Sequence, residues 1–145
     1  MNEQYRELLF IDLCGRVPYK VRMFEIEPVN NIQSNLTLLS ITNKESVICI
    51  TPSGGVIGSS IDAFKPYLFP LSSMTEEQRE EYNQSRLKDL RMLNSVLMER
   101  ISDENNFDRL VVAHNEIDWL NKNHFDYRGL IEKGLAIDAT GLNIY

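Results

Sequence analysis

The sequence predicts an α+β fold built as one domain over residues 1–145. Residues 15–70 hold short runs of β-branched and apolar residues separated by turn residues, which is typical of strands in an antiparallel sheet. Residues 73–135 instead place their apolar residues at the spacing of helices. With 145 residues and 43% apolar content, the chain has the size and composition of a single globular domain.

An amphipathic helix is expected over residues 3–14. Tyr5, Leu9 and Leu13 recur at helical spacing. Gly15 follows at the position where a glycine often ends a helix in the left-handed conformation.

Four short strands are expected next, at residues 17–26, 36–42, 46–51 and 56–61. Residues 43–46 and 52–55 carry the residues of hairpin turns. This close spacing predicts a small antiparallel meander or an SH3-like barrel of about four to five strands, because closure would remove most exposed strand edges.

Residues 62–70 are expected to connect this sheet to the helical part. Pro66 and Pro70 exclude a regular helix, whereas Phe64 and Leu68 favour burial. A single 3₁₀ turn across the sheet satisfies both requirements.

The start of a long helix is the strongest local signal in the chain. Either Ser73 with Glu76 or Thr75 with Gln78 forms a capping box, and acidic residues in the first turn suit the helix dipole. The helix is expected to continue to about residue 102.

The second half of this helix, residues 87–101, is apolar on two sides. Such a helix is buried between layers or joins a second subunit, so we expect a homo-oligomer formed through it. Beyond it, residues 110–113 are expected to form a short strand or buried turn, and Asn115 is expected to cap a helix ending near residue 123. A last short helix is expected where Tyr127, Leu130 and Leu135 recur at helical spacing.

Composition excludes several classes of function. The net charge is −6 and no segment is net basic, which argues against a module that binds duplex nucleic acid. No apolar run reaches the ~18 residues of a transmembrane helix, and the first residues lack the layout of a signal peptide, so no membrane association and a cytoplasmic location are expected. Cys14 and Cys49 are expected to be reduced and buried.

The sequence also lacks the motifs of common active sites. Cys14, Cys49, His114 and His124 form no close pair of the kind that nucleates a metal site, so neither a metal nor another cofactor is expected. No nucleophile motif is present, and the glutamates of residues 76–81 are explained by the helix dipole. We therefore predict a protein that is not an enzyme.

A first candidate ligand site lies near the predicted first strand. Arg16, Tyr19, Lys20 and Arg22 place three bases and one aromatic ring within seven residues, with no acid. If the segment is a strand, Lys20 and Arg22 share a face that could hold an anionic ligand. A solvated strand face is the alternative interpretation.

A second candidate lies at the joint between the last two predicted helices. His124, Phe125, Tyr127 and Arg128 combine an imidazole, two rings and a guanidinium, a mixture that binds nucleobases by stacking and phosphates by a bidentate fork. The alternative is a packing corner with Phe125 and Tyr127 in the core and Asp126 capping the next helix.

Three blocks of the chain are similar to a family of small, mostly uncharacterised accessory proteins encoded by bacteriophages and prophages of gut bacteria. These blocks are residues 12–19 (DLCGRVPY), residues 61–77 with the motif KPYLFPLSSMTEE, and residues 118–135 (DWLNKNHFDYRGLIEKGL). The resemblance covers most of the chain except about residues 79–110. It implies no catalytic residues, but it implies a protein that binds and blocks host machinery, including antiviral defence systems.

The sequence therefore leaves three alternative functions. The first is a non-enzymatic phage or prophage protein that occludes a host protein as a counter-defence inhibitor. The second is a sponge that sequesters a nucleotide signal, with phosphate bound by Arg16, Lys20, Arg22 or Arg128 and a base bound by Tyr19, Phe125 or Tyr127. The third is a small hydrolase whose site assembles only in the folded chain.

Overall fold

The computed structural model describes residues 1–26, 36–97 and 106–145, with side chains described outside residues 87–113. The described chain forms two compact units, one made of residues 1–73 and 124–145 and the other of residues 74–123. The first unit holds an N-terminal helix and a sheet of about seven strands, and the second holds helices. The predicted α+β class is confirmed at this level.

The N-terminal helix, α1, spans Glu3–Arg16 and begins at Asn2, whose side chain accepts a hydrogen bond of 2.8 Å from the Tyr5 N–H. The predicted helix is confirmed, but it runs through Gly15 and ends at Arg16, two residues beyond the expected end near residue 14. A 3₁₀ turn, Val17–Tyr19, continues directly from α1, and Lys20 takes the left-handed conformation (φ 54°) expected of the glycine. Pro18 lacks an N–H to donate and fits the start of this second helical turn.

The sheet consists of β1 (Arg22–Glu25), β2 (Leu36–Asn43), β3 (Ser46–Ile50), β4 (Val56–Ser60), β5 (Phe64–Pro70), β6 (Phe125–Asp126) and β7 (Ile137–Asp138). Strands β4-β3-β2-β1-β5 pair antiparallel in that order, and both β6 and β7 pair parallel to β5. The β2–β3 and β3–β4 hairpins lie where the turn residues predict them. The first predicted strand is shorter than residues 17–26, because its beginning is the 3₁₀ turn.

Strand β5 replaces the 3₁₀ turn predicted for residues 62–70; the 3₁₀ turn is confined to Ile61–Ala63. Pro66 is compatible with this strand because of its register. The Ile26 N–H donates to the Ala63 carbonyl, and bonded pairs of an antiparallel ladder recur at every second residue. Phe24 and Lys65 therefore form a bonded pair, and the next pair, Met23 with Pro66, needs no N–H from the proline.

The core of the first unit lies between α1 and the sheet. Alternate residues of β2 and β3 point into it, namely Leu36, Leu38, Val47 and Cys49. Leu9 and Leu13 of α1 are fully buried against them, and burial of one such side chain stabilises by about 1.5–3 kcal/mol. Cys14 is exposed, so the prediction of two buried cysteines holds for Cys49 alone.

Closure of the sheet into an SH3-like barrel stays a prediction. Among the strands that the structure describes, β4 pairs with β3 on one side, and no pairing joins its other side to β5, β6 or β7.

The second unit contains α2 (Glu76–Leu97) and α3 (Asn106–Lys122). The capping box is that of Thr75 and Gln78: each backbone N–H donates to the other's side chain, at 3.0 and 3.2 Å. Tyr82 and Trp119 pack ring against ring with centroids 5.3 Å apart. The end of the long helix near residue 102 and the apolar sides of residues 87–101 lie outside the described side chains.

Helix α3 corrects two predictions. Residues 110–113 are helical rather than a strand or buried turn, and the helix begins at Asn106 rather than at Asn115. Val111 and Val112 suggested a strand, but valine in a helix costs only a few tenths of a kcal/mol, which a helix of this length tolerates.

Residues 127–136 form turns rather than the predicted last helix. Gly129 and Gly134 both take positive φ, at 68° and 69°, which interrupts helical geometry. The Leu135 N–H closes the segment by donating to the Leu130 carbonyl at 2.8 Å, and both leucines are buried. The spacing that suggested a helix is thus met by a compact loop. None of the described helices has the length and apolarity of a membrane span.

Candidate functional site

A fully buried ion pair lies at the C-terminal end of α1. Asp12 and Arg16 are four residues apart, so α1 places both side chains on one face. Arg16 Nε donates to Asp12 Oδ2 at 2.6 Å and Arg16 Nη2 donates to Oδ1 at 3.1 Å. Both side chains are 0% exposed. The same Nη2 donates to the carbonyl of Phe125 at 2.8 Å, which ties α1 to β6.

A second arginine reaches the same carboxylate. Arg128 Nε lies 3.5 Å from Asp12 Oδ1, and its side chain is 30% exposed. Both guanidinium groups also lie over the ring of Tyr127, with Arg16 Cζ at 5.5 Å and Arg128 Cζ at 5.0 Å from the ring centroid. We call Asp12, Arg16, Tyr127 and Arg128 the Asp12 cluster.

Two nitrogens of this cluster are buried without a hydrogen-bond partner in the described structure. They are Arg16 Nη1 and Arg128 Nε. An unmade hydrogen bond on a buried charged donor is costly, and such atoms normally meet an acceptor. The cluster can therefore accept a group that carries hydrogen-bond acceptors.

His124 lies beside this cluster in a left-handed conformation (φ 60°). Its ring stacks on Tyr145, with centroids 3.9 Å apart and planes at 13°. Burial, followed by the positive charges of Arg16 and Arg22, lowers the pKa of His124 to about 4. The imidazole is therefore neutral at pH 7, and its buried Nδ1 has no hydrogen-bond partner among the described residues.

Tyr145 connects β1 with β5. Its hydroxyl donates to the Tyr67 carbonyl at 2.7 Å and accepts from the Arg22 N–H at 3.1 Å. Although 45% of the residue is exposed, its hydroxyl end is covered, and this burial raises the pKa of Tyr145 to about 12. The Arg22 side chain turns to β2, where Nη1 donates to Thr37 Oγ1 at 2.7 Å.

Phe125 and Asp126 agree with the interpretation of residues 124–128 as a packing corner. Phe125 is 1% exposed and packs on Phe69, with centroids 6.2 Å apart. Asp126 is buried and accepts from the N–H groups of Leu130 and Ile131 at 2.9 and 2.8 Å. Asp126 therefore caps the turn that replaces the predicted helix.

The two predicted candidate sites largely merge into one region. Arg16 and Arg128 share the Asp12 carboxylate, Phe125 supplies a carbonyl to Arg16, and Arg22 lies near His124 through Tyr145. Lys20 and Tyr19 precede β1 rather than forming part of it, so the predicted strand face shared by Lys20 and Arg22 is wrong.

Sequence reasoning missed Asp12 and Tyr145. Asp12 had a signal, because a carboxylate between apolar neighbours and four residues before an arginine indicates an ion pair on a buried helix face. The predicted helix end at residue 14 concealed it. Tyr145 had no comparable signal, because its contacts join segments that are distant in sequence.

The other motifs of the sequence lie outside the Asp12 cluster. Within the described part of the chain, no three His, Cys, Asp or Glu side chains are grouped to hold a metal ion. Glu76, Glu77, Glu80, Glu81 and Gln84 line a shallow, open depression on α2. Gly54 takes φ 87° in the β3–β4 turn, as a hairpin requires.

Comparison of the chain with protein-family models, with curated proteins and with solved structures finds no match.

Proposed function

We propose that this chain is a non-enzymatic binding protein of phage or prophage origin that acts in the cytoplasm of a bacterial host. It occludes a host protein, as a counter-defence inhibitor does. The observation that carries the protein-binding part of this proposal is the edge of the sheet at β4, which no strand of the described residues covers. The phage origin rests on the sequence resemblance described above.

Hydrogen-bond register shows which backbone groups of β4 face outward. The Thr51 N–H donates to the Gly55 carbonyl at one end of the β3–β4 ladder, and the Ile61 N–H donates to the Glu45 carbonyl at the other. Because bonded pairs alternate, Ile57 and Ser59 bond to β3. The N–H and C=O groups of Val56, Gly58 and Ser60 point to the open side.

The composition of this edge favours strand addition. The five residues of β4 are uncharged and include no proline, whereas exposed edges are usually protected by charges, prolines or bulges. Val56 is 63% exposed, and Gly58 is exposed and has no side chain. An extended, uncharged segment of a host protein can therefore pair with β4 through its backbone, with Val56 as an apolar contact.

A matched pair of variants tests this proposal. Val56→Lys places a charge on the open edge, and Leu39→Lys places the same charge on β2, an interior strand, at a residue that is 47% exposed. The tagged chain is expressed in a gut bacterium and partners are captured after crosslinking. We expect a host protein that is captured by the wild type and by Leu39→Lys and is lost with Val56→Lys.

Hydrogen exchange of the purified complex provides the sharper measurement. The amides of Val56, Gly58 and Ser60 should gain protection, while those of Ile57 and Ser59, already bonded to β3, should change little. A partner retained by both Val56→Lys and Gly58→Pro would contradict the proposal. Self-association abolished by Gly58→Pro would instead assign the edge to a second copy of this chain.

A nucleotide sponge is the second candidate, favoured by the unpartnered nitrogens of Arg16 and Arg128. Several of its predicted contacts are already occupied within the protein. Phe125 is buried in the core, and the Tyr127 ring is in contact with both guanidinium groups. These contacts leave fewer groups for a nucleobase, so we propose the sponge only as the second candidate.

A further inference from the structure

The Asp12 cluster contains more positive than negative charge. One carboxylate, Asp12, faces two guanidinium groups, those of Arg16 and Arg128. The neighbouring carboxylate of Asp126 is committed to two backbone N–H groups. Burial of an uncompensated cation is unfavourable, so a bound counter-ion would stabilise the two guanidinium groups.

The unpartnered donors lie where that counter-ion would bind. Arg16 bonds Asp12 and Phe125 through Nε and Nη2, which leaves the N–H groups of Nη1 without an acceptor in a side chain that is 0% exposed. Arg128 Nε is also buried without a hydrogen bond. Both arginines contact Oδ1 of Asp12, which brings guanidinium groups from two segments of the chain to one oxygen atom.

We propose that the Asp12 cluster binds an oxyanion, a phosphate or a carboxylate group, between the guanidinium groups of Arg16 and Arg128. Planar guanidinium donors match the oxygen geometry of both groups. Tyr127 holds the two arginines in place through its ring face. The anion enters from the side of Arg128, because this side chain is partly exposed whereas Arg16 is enclosed. The site does not involve the β4 edge. Anion binding is therefore a second property of the protein, in addition to the proposed occlusion of a host protein.

The test uses the purified full chain in a low-salt buffer free of oxyanions. Inorganic phosphate, acetate and a nucleoside 5′-monophosphate are titrated separately, followed by calorimetry and by the change in Tm. We expect saturable binding of at least phosphate, with Tm rising with its concentration as mass action requires. Tighter binding of the monophosphate than of phosphate would identify a nucleotide as the source of the anion, and tighter binding of acetate would identify a carboxylate.

Arg128→Gln is the diagnostic variant, since it removes the partly exposed donor and leaves the buried ion pair intact. We expect it to weaken anion binding about tenfold or more, as loss of a charge-assisted contact does. Arg6→Gln is the matched control: Arg6 also pairs with an aspartate, Asp62, and its side chain is 25% exposed. This control should bind the anion with unchanged affinity.

Two results would overturn the inference. One is the absence of saturable binding for all three anions, which would mean that water alone meets the unpartnered donors. The other is an equal affinity of the wild type and Arg128→Gln, which would place any bound anion elsewhere. Because neither result involves a host protein, failure here is distinct from failure of the proposed occlusion.

Discussion

The two ends of α1 each carry an arginine–aspartate pair, and the pairs differ mainly in their exposure to solvent. Near the N-terminus, Arg6 Nη2 lies 2.7 Å from Asp62, with side chains 25% and 28% exposed. Near the C-terminus, Arg16 lies 2.6 Å from Asp12, and both are 0% exposed. The distances are nearly equal, so the separation of charges does not distinguish the pairs.

Solvent does distinguish them. Water competes for the partly exposed pair and screens it, so either partner of Arg6–Asp62 can be hydrated when the other is removed. The buried pair has no such substitute, and a second cation, Arg128, is added to it. The same two residue types thus form a partly hydrated contact at one end of the helix and a component of a buried charged cluster at the other.

Removal of the two aspartates should show the largest difference. Asp12→Ala leaves two guanidinium groups without their carboxylate and is expected to destabilise the protein by about 3–5 kcal/mol. Asp62→Ala should have a several-fold smaller effect, since Arg6 is then hydrated. Urea denaturation of the three proteins measures both changes, and similar midpoints for the two variants would contradict the comparison.

Small carboxylates sharpen this result. Acetate or formate should restore part of the stability of Asp12→Ala by replacing the missing carboxylate beside Arg16. The same salt should stabilise Asp62→Ala no more than it stabilises the wild type, because Arg6 is hydrated in that variant. Sodium chloride at equal ionic strength serves as the control for general screening.

Acidification should weaken the buried end first. The folded-state pKa of His124, about 4, lies below its ordinary value of 6.5, so the unfolded chain binds the proton more tightly. Stability should therefore fall as the pH drops from 6.5 towards 4, by an upper value of about 3 kcal/mol. The partly exposed pair responds at lower pH. The hydrogen bond from Arg6 lowers the pKa of Asp62, so the stability that this pair contributes is present above about pH 4 and is lost below it.

Two histidine variants separate this effect from other titrations. Denaturation is measured at pH 7 and pH 5 for His124→Gln and for His114→Gln, which changes an exposed residue of α3. The loss between the two pH values should shrink with His124→Gln and persist with His114→Gln. An unchanged loss in both would show that His124 is not the group responsible.

Salt should produce a smaller separation. Raising sodium chloride from about 0.05 to 1 M shortens the Debye length to about 3 Å, which screens charges in contact with water. The destabilisation caused by Arg6→Gln should consequently diminish at high salt, whereas that caused by Asp12→Ala should not. Equal salt dependence for the two variants would mean that the Asp12 cluster is open to solvent.

Local chemistry made parts of the fold predictable from sequence. The capping box of Thr75 with Gln78 and the two hairpins depend on residues within a few positions of one another, and each lies where it was expected. Predictions failed where the structure depends on strand register or on contacts between residues distant in sequence. Pro66 is accepted in β5 because its pair with Met23 needs no N–H, and this depends on how β1 aligns with β5 rather than on the proline itself.

The same distinction between local and distant contacts applies to the candidate site. Its arginines and rings were identifiable because unusual side chains stand close together in sequence. Their partner Asp12 was overlooked, since whether an aspartate is hydrated or shared by two arginines depends on the return of the chain at residues 125–128. The predicted last helix failed for a related reason: Asp126 and two glycines close a turn whose buried leucines have helical spacing.

The hydroxyl of Tyr145 acts as a spacer inserted into the sheet. The alternation that makes Phe24 and Lys65 a bonded pair would make Arg22 and Tyr67 the next one, with the Arg22 N–H donating to the Tyr67 carbonyl. Instead the phenol oxygen stands between these two groups and bonds to both, as a bridging water does elsewhere. The separation of β1 and β5 at this end is therefore set by the width of one oxygen atom, and a segment more than seventy residues away in sequence determines where two neighbouring strands part.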